Sequence, residues 1–278
     1  MRLRLDLAYD GTDFRGWARQ PGLRTVQGTL ETAIARVLGG DPQLVVAGRT
    51  DAGVHAAGQV AHLDLTDAQR ARLEKGRNPS PTALAARITG VLGQYPDVAV
   101  HRSAEAAPGF DARFSAVWRR YEYRIADLAT PYDPLERGRT TTYKARLDAD
   151  AMDAAARSLI GLHDFAAYCK AREEATTIRT LLEFGWRRDD AGILIANVKA
   201  DAFCHSMVRS LVGACAAVGE GRLGIADIVG IRDERARTSE IKVLAARGLT
   251  LTEVGYPAEE LLASRAEQTR ARRSLDED

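Results

Sequence analysis

Apolar and polar positions alternate through the first nine residues. Leu3, Leu5, Leu7 and Tyr9 fall on one face, with Arg2, Arg4 and Asp6 between them. A period of two with one apolar face predicts a strand. The turn-like run Asp10-Gly11-Thr12-Asp13 follows. The period then changes. Val26, Leu30, Ala33, Ile34 and Val37 recur at helical spacing, behind Thr25 as a candidate N-cap and before Gly39-Gly40 as a stop. Strands are predicted over 43–48, 59–65 and 97–103, and a helix over 82–92 that begins behind Ser80-Pro81. The segment 66–81 is polar and carries no clear period.

The second half repeats the order of elements. Residues 116–126 read as a strand containing Trp118-Arg-Arg-Tyr-Glu-Tyr-Arg124, and 149–160 as an Ala-rich amphipathic helix behind Asp148. Strands are predicted near 179–188 and 192–200. A long apolar helix is predicted from about 203 to 218, a short one over 239–246, and a last alternating strand over 249–256. Strand, helix and paired strands in both halves imply two α+β units on antiparallel sheet rather than one doubly wound sheet. The likeness between halves is one of pattern, without a repeat of residues. The expected division is an α+β domain over 1–112, a second over 113–257, and a charged tail over 258–278 that begins as a helical extension and frays into disorder.

Composition excludes several classes. The 278 residues carry 39 Lys plus Arg against 38 Asp plus Glu, with 28% charged and 45% hydrophobic residues. That is ordinary for a globular chain, and rules out disorder and a strongly basic packaging role. Arg outnumbers Lys 34 to 5, which reads mainly as a codon-composition bias of the source, with bidentate phosphate binding as the sharper alternative. Cys169, Cys204 and Cys215 form no C-x-x-C pair. A disulfide scaffold or zinc cluster is therefore not expected, and a reduced cytoplasmic setting is. The charged, alternating start is unlike a signal peptide. No apolar run approaches the roughly 18–20 residues of a membrane helix.

Four segments could carry chemistry. Gly48-Arg49-Thr50-Asp51-Ala52-Gly53-Val54-His55 follows a predicted strand, and its two glycines permit a tight loop that displays Asp51 in a defined orientation. Such a carboxylate suits a nucleophile or general base; the simpler reading is an Asx turn that only holds the loop. No phosphate loop of the G-x-x-x-x-G-K-[ST] kind is present. In Phe203-Cys204-His205-Ser206-Met207-Val208-Arg209, the arginine is a cation within an apolar stretch. It needs a partner carboxylate if buried, and none if it snorkels to the rim. His205 shares no metal-ligand spacing with the other four histidines. Alternation in Arg119–Arg124 sets Tyr121 beside Tyr123 and Ile125, with Arg120, Glu122 and Arg124 opposite. Tyr121 is then either a stacking platform for a base or a core tyrosine. Finally, residues 9–20 interleave aromatics with Arg and Gly, a composition suited to RNA and equally to a structural aromatic loop.

Taken together and in order, these segments resemble the TruA family of tRNA pseudouridine synthases. Gly48–His55 is similar to that family's catalytic signature. Tyr9, Gly11, Phe14, Gly16, Trp17, Arg19 and Gln20 match a second motif. Arg113-Phe-Ser-Ala with Tyr121 and Tyr123 matches a third, and Phe203-x-His-x-Met-Val-Arg209 a fourth. Thr25-Val26-Gln27-x-x-Leu-Glu31 and Gly248-Leu-x-Leu251 also fit, so the likeness runs over residues 3–257. Ala18 stands where many members have Gln, and 87–97 lacks the Asn-x-x-Leu-Pro pattern.

The resemblance implies a fold of two similar α/β-sandwich-like domains sharing a continuous antiparallel sheet, with a central active-site cleft. It implies a cytoplasmic homodimer that acts on tRNA, uses no cofactor or metal, and converts uridines 38, 39 and 40 of the anticodon stem–loop to pseudouridine. Asp51 resembles the catalytic aspartate, and Tyr121 the tyrosine that stacks on the uracil and can take its C5 proton. Arg209 resembles the arginine that pairs with the aspartate. Arg49, Arg19, Gln20 and His205 are the implied substrate contacts. Whether the carboxylate attacks C1′ or helps form a glycal stays open at this level. A non-catalytic tRNA-binding or chaperone protein on the same fold is the alternative. A glycoside hydrolase is a further one, with Asp10 or Asp13 as the second carboxylate.

The charge balance sharpens under this reading. Residues 258–278 hold four positive and six negative side chains, leaving 35 positive against 32 negative elsewhere. RNA binding then requires segregated charge, with Arg15, Arg19, Arg49, Arg119, Arg120 and Arg124 as candidates.

Overall fold

The computed structural model describes residues 1–75, 79–94, 97–170 and 176–270. In chain order it contains β1 (Arg2–Tyr9), α1 (Val26–Leu38), β2 (Leu44–Val46), β3 (His55–Asp64), α2 (Asp67–Glu74), α3 (Leu84–Val91) and β4 (Val98–Glu105). Then come β5 (Trp118–Ala126), β6 (Thr141–Thr142), α4 (Ala149–Arg157), β7 (Gly161–Asp164), β8 (Ile178–Arg188), β9 (Leu194–Ala200), α5 (Met207–Gly219) and α6 (Ile225–Glu234). The described chain closes with β10 (Leu249–Gly255) and α7 (Leu262–Arg270). This is a mixed α+β chain in which β1 pairs antiparallel with β3 and β4, and β9 antiparallel with β5 and β8. Its described residues divide into two compact units, 1–117 with 251–270, and Trp118–Thr250.

In the first unit the strands run in the order β4-β1-β3-β10, with β2 on β3. The alternation of β1 becomes a register in which Leu3 faces Leu63 and Leu5 faces Ala61. Leu3, Leu5 and Leu7 are fully buried with Leu30 and Ile34 of α1 and Leu84 and Ile88 of α3. Each such side chain contributes about 1.5–3 kcal/mol by leaving water, so this face fixes the register. The caps of α1 are those the spacing predicts. Thr25 Oγ1 accepts from the Gly28 amide at 3.3 Å, and Gly39 closes the last turn with its amide 2.7 Å from the Ala35 carbonyl.

Differences from the pattern are local. The strand expected over 43–48 is shortened to β2, with one further bond from the Ala47 amide to the Val60 carbonyl before the chain departs at Gly48. The polar segment after residue 65 contains α2. A reciprocal cap makes it possible: the Gln69 amide donates to Thr66 Oγ1, and the Thr66 amide donates to Gln69 Oε1. Residues 258–270 form a 3-10 turn and α7, with Leu262 and Ala266 buried and Ser115 Oγ donating to the Leu262 carbonyl at 3.0 Å. The frayed end expected beyond them lies outside the described residues.

In the second unit the order is β5-β9-β8-β7, with the short β6 parallel to β5. Tyr121 pairs with Val198 and Trp186 with Ala196. α4 packs on β8 and α5. Asp148 caps α4 as predicted, its Oδ1 accepting from the amides of Asp150 and Ala151 at 2.9 and 3.0 Å.

Two expectations are corrected here. The apolar helix begins at Met207, not at 203, because Ser206 takes a left-handed φ of 65° and breaks the periodicity. Residues 239–246 are not a helix; the helix of this region is α6, at Ile225–Glu234. Instead, the chain near 242–244 presses against α5, with the Lys242 carbonyl filling the space where Gly213 has no side chain. Cys169 and Cys204 are joined as a disulfide with Cα atoms 5.8 Å apart, one bridge and not the scaffold that the cysteine count argues against; Cys215 is a buried free thiol. A separation of 35 residues hides the pairing from the sequence. No helix among the described residues is long and apolar enough to cross a membrane.

Candidate active site

Asp51 lies on the crossover between β2 and β3, half-buried, between the buried Thr50 and the exposed Ala52. This loop is braced by the one that follows β1. The Trp17 amide donates to the Thr50 carbonyl at 3.0 Å, and the Gly53 amide to the Phe14 carbonyl at 3.2 Å. A tight internal bond from the Val54 amide to the Asp51 carbonyl, 3.2 Å, closes the turn. The crossing is close enough to require glycine at 16. Its φ is +91°, and a Cβ there would lie 3.0 Å from the Thr50 carbonyl oxygen and 3.3 Å from the Ala52 nitrogen. The glycines and aromatics of residues 9–17 therefore form a platform under the Asp51 loop.

Around this platform, His55 Nδ1 accepts from the Gly11 amide at 3.0 Å and lies 3.0 Å from Asp10 Oδ1. Partial burial works against ionisation of Asp10, but bonds from Thr12 and the nearby His55 outweigh it and hold the carboxyl below its ordinary range. Arg49 and Arg15 are exposed. Arg19 is exposed too, with its amide donating to Gln27 Oε1 at 3.2 Å and its Nη1 3.8 Å from both Glu31 and Asp41. Gln20 Nε2 donates to the Arg15 carbonyl at 3.1 Å. The strand β2 that leads to Asp51 is tied at its start to α1. Glu31 Oε1, buried, accepts from the Leu44 amide at 3.0 Å and from Gln27 Nε2 at 2.8 Å.

In the second unit Tyr121 is buried on β5, with Phe203 edge-on at 5.1 Å between ring centroids and an interplanar angle of 89°. Phe203 and His205 share the segment before α5. The disulfide at Cys204 and a bond from the Lys170 amide to the His205 carbonyl, 2.9 Å, hold it. Arg209 sits in the first turn of α5, half-buried, with Nε donating to the Leu244 carbonyl at 2.6 Å. Of the arginines proposed for RNA contact, three on β5 are engaged within the protein. Arg119 is buried with Nη1 on the Asp201 carbonyl at 2.8 Å. Arg124 is largely covered and paired with Glu136 at 3.1 Å and Glu122 at 3.4 Å. Arg120 reaches Glu183 at 3.5 Å and lies over the Trp118 ring. Of the six candidates, Arg15, Arg19 and Arg49 are exposed.

No group of three or more His, Cys, Asp or Glu among the described residues could hold a metal ion.

A profile of the tRNA pseudouridine synthase family matches residues 155–257. The tRNA pseudouridine synthase A of Leifsonia xyli subsp. xyli is 62% identical over 282 residues, covering 99% of this chain and 98% of that one. The chain belongs to the tRNA pseudouridine synthase A family. Namesakes from Streptomyces griseus and Corynebacterium glutamicum are 51% and 47% identical, each over 99% of this chain and over 95% and 96% of their own.

For a member of this family, several supporting residues escape a reading of the sequence. Thr50 and Gln59 are buried polar groups beneath the Asp51 loop, Phe203 meets Tyr121, and Leu244 holds Arg209. Glu31 had a signal: it is a charged residue on the apolar stripe of α1, which requires a buried hydrogen-bond partner. The others act through contacts 35 or more residues away in the chain, or through a backbone carbonyl, and leave no local pattern.

Proposed function

We propose that the chain isomerises uridine to pseudouridine at positions 38, 39 and 40 of the tRNA anticodon stem–loop, with Asp51 as the nucleophile. Family membership makes it an isomerase acting on tRNA. The observation that supports the role of Asp51 is its place on a loop whose backbone is pinned at Thr50, Asp51 and Gly53, which fixes the Cα that carries the carboxylate.

In this mechanism an Asp51 oxygen attacks C1′ of the target ribose. A C–O bond forms as the C1′–N1 bond breaks, and uracil leaves with the bonding pair. The base turns in place. Its C5 then bonds to C1′ and expels the carboxylate, the C5 proton passes to a base, and N1 takes up a proton. Tyr121 stacks on the uracil and is assigned the C5 proton. Arg209 is assigned as the cation that pairs with the Asp51 carboxylate, as the family resemblance implies. Arg49, Arg19, Gln20 and His205 contact the RNA. The target base is unstacked at a cost of a few kcal/mol, which is smaller beside a loop. The enzyme acts as a cytoplasmic homodimer without a cofactor.

Pseudouridine mapping on bulk tRNA from cells lacking the protein tests this. Loss of the modification at 38–40, restored by the parent gene, is expected; full retention contradicts it. A non-catalytic tRNA binder would instead bind tRNA without releasing tritium from 5-tritiated uridine.

A further inference from the structure

Beneath the Asp51 loop runs a buried polar chain that no backbone pairing requires. Gln59, on β3, has no exposed surface. Its Nε2 donates both to the Gly48 carbonyl at 2.9 Å and to Tyr9 Oη at 3.1 Å. The Tyr9 hydroxyl in turn shares a hydrogen bond of 2.8 Å with Thr50 Oγ1. Gly48 and Thr50 bracket Arg49, and Thr50 immediately precedes Asp51. One amide and one phenol therefore fix the two residues on which the reactive segment turns.

The chemistry of the chain suits a rigid mount rather than a proton relay. Burial pushes the Tyr9 hydroxyl up to about 12, with the bonds from Thr50 and Gln59 only partly offsetting it, so it stays neutral. The Tyr9 ring is itself set by Phe14 and Trp17, with centroids 6.5 and 6.0 Å away. Trp17 returns to the same loop through its amide bond to the Thr50 carbonyl. Thr50 is thus gripped at its side chain by Tyr9 and at its carbonyl by Trp17.

We propose that Tyr9 and Gln59 are positioning residues for the isomerisation, acting through Thr50 and Gly48 to set the direction of the Asp51 carboxylate. The proposal rests on Asp51 being the nucleophile. Misplacement by about 1 Å costs on the order of a hundredfold in rate, so the loss should appear in kcat rather than in tRNA affinity.

The test is tritium release from unmodified tRNA containing 5-tritiated uridine, under single-turnover and saturating conditions, with full-length protein. Tyr9→Phe keeps the ring and removes the hydroxyl. It is expected to lower kcat by about 10- to 100-fold while KM for tRNA stays within about threefold. Thr50→Val removes the other half of the bond without touching the ring, and should give a similar loss. The double variant should lose no more than the worse single one, because both remove the same interaction. Gln59→Met should repeat the kcat loss. Asp51→Asn is measured beside them. If Asp51→Asn is inactive while Tyr9→Phe and Thr50→Val turn over at the parent rate, or if their losses multiply in the double variant, the positioning role is overturned and the role of Asp51 stands. If Asp51→Asn keeps its activity, the nucleophile assignment falls and the positioning role with it.

Discussion

Arg209 and Leu244 hold each other twice: Arg209 Nε donates to the Leu244 carbonyl at 2.6 Å, and the Leu244 amide donates to the Arg209 carbonyl at 3.2 Å. A cation in an apolar helix thereby gains a fixed direction from a segment 35 residues away. The Nε bond fixes the plane of the guanidinium fork, which an ammonium group cannot copy. Arg209→Lys is therefore expected to keep the charge and lose the aim, with kcat for pseudouridine formation down at least about tenfold. Loss of one charged hydrogen bond, about 1.5–3 kcal/mol, should lower Tm by about 3–12 °C. Parent activity in the lysine variant would show that charge alone suffices.

Asp127 and Arg188 form the most enclosed ion pair described. The Asp127 side chain has no exposed surface. Both its oxygens lie 2.9 Å from Arg188, and it also accepts from the Leu147 amide at 2.8 Å and Thr130 Oγ1 at 3.0 Å. Burial pushes this carboxyl up, but the bonds from Arg188, Leu147 and Thr130 outweigh it and hold the pKa at about 2. An unfolded Asp titrates near about 3.9. The native state thus binds fewer protons, and the group contributes about 2 kcal/mol that is fully present above about pH 4 and fades as pH falls towards about 2. Asp127→Asn should cost at least that much at pH 7 and lose this acid dependence. Urea unfolding between pH 2.5 and 7 checks both, and parallel pH curves for variant and parent would contradict the assignment.

Glu31 separates acceptor from charge. One oxygen takes both the Leu44 and Gln27 donors, while Oε2 has no hydrogen bond and lies 3.8 Å from Arg19. An amide oxygen can accept the same two bonds, so Glu31→Gln should unfold within about 1 kcal/mol of the parent. Glu31→Ala strands the buried Leu44 amide and should cost about 1–3 kcal/mol. Equal stabilities for the two variants would show that the acceptor role is unimportant.

Wherever apolar spacing and a capping residue agree, the fold is legible in the chain. β1 follows from Leu3, Leu5, Leu7 and Tyr9, α1 from Thr25 and Gly39, and α4 from Asp148. It fails where a distant group decides. Residues 239–246 look helical alone, but the Lys242 carbonyl is drawn onto Gly213 and Leu244 onto Arg209, while α6, with only Ile228 and Ile231 buried, has a weak stripe. The same holds for the site. Asp51, Tyr121 and Arg209 stand in motifs, whereas the partners of Thr50 lie 33 and 41 residues away at Trp17 and Tyr9. Strand alternation places Tyr9 inside; it cannot say that its hydroxyl meets the loop.

The central claim is that Asp51 performs the chemistry. Asp51→Asn preserves size and loop geometry but removes the ionised oxygen. With unmodified tRNA containing 5-tritiated uridine, the variant should release no tritium above background while matching the parent in Tm and in tRNA binding. Tritium release by a correctly folded Asp51→Asn protein at a rate near the parent's would contradict it.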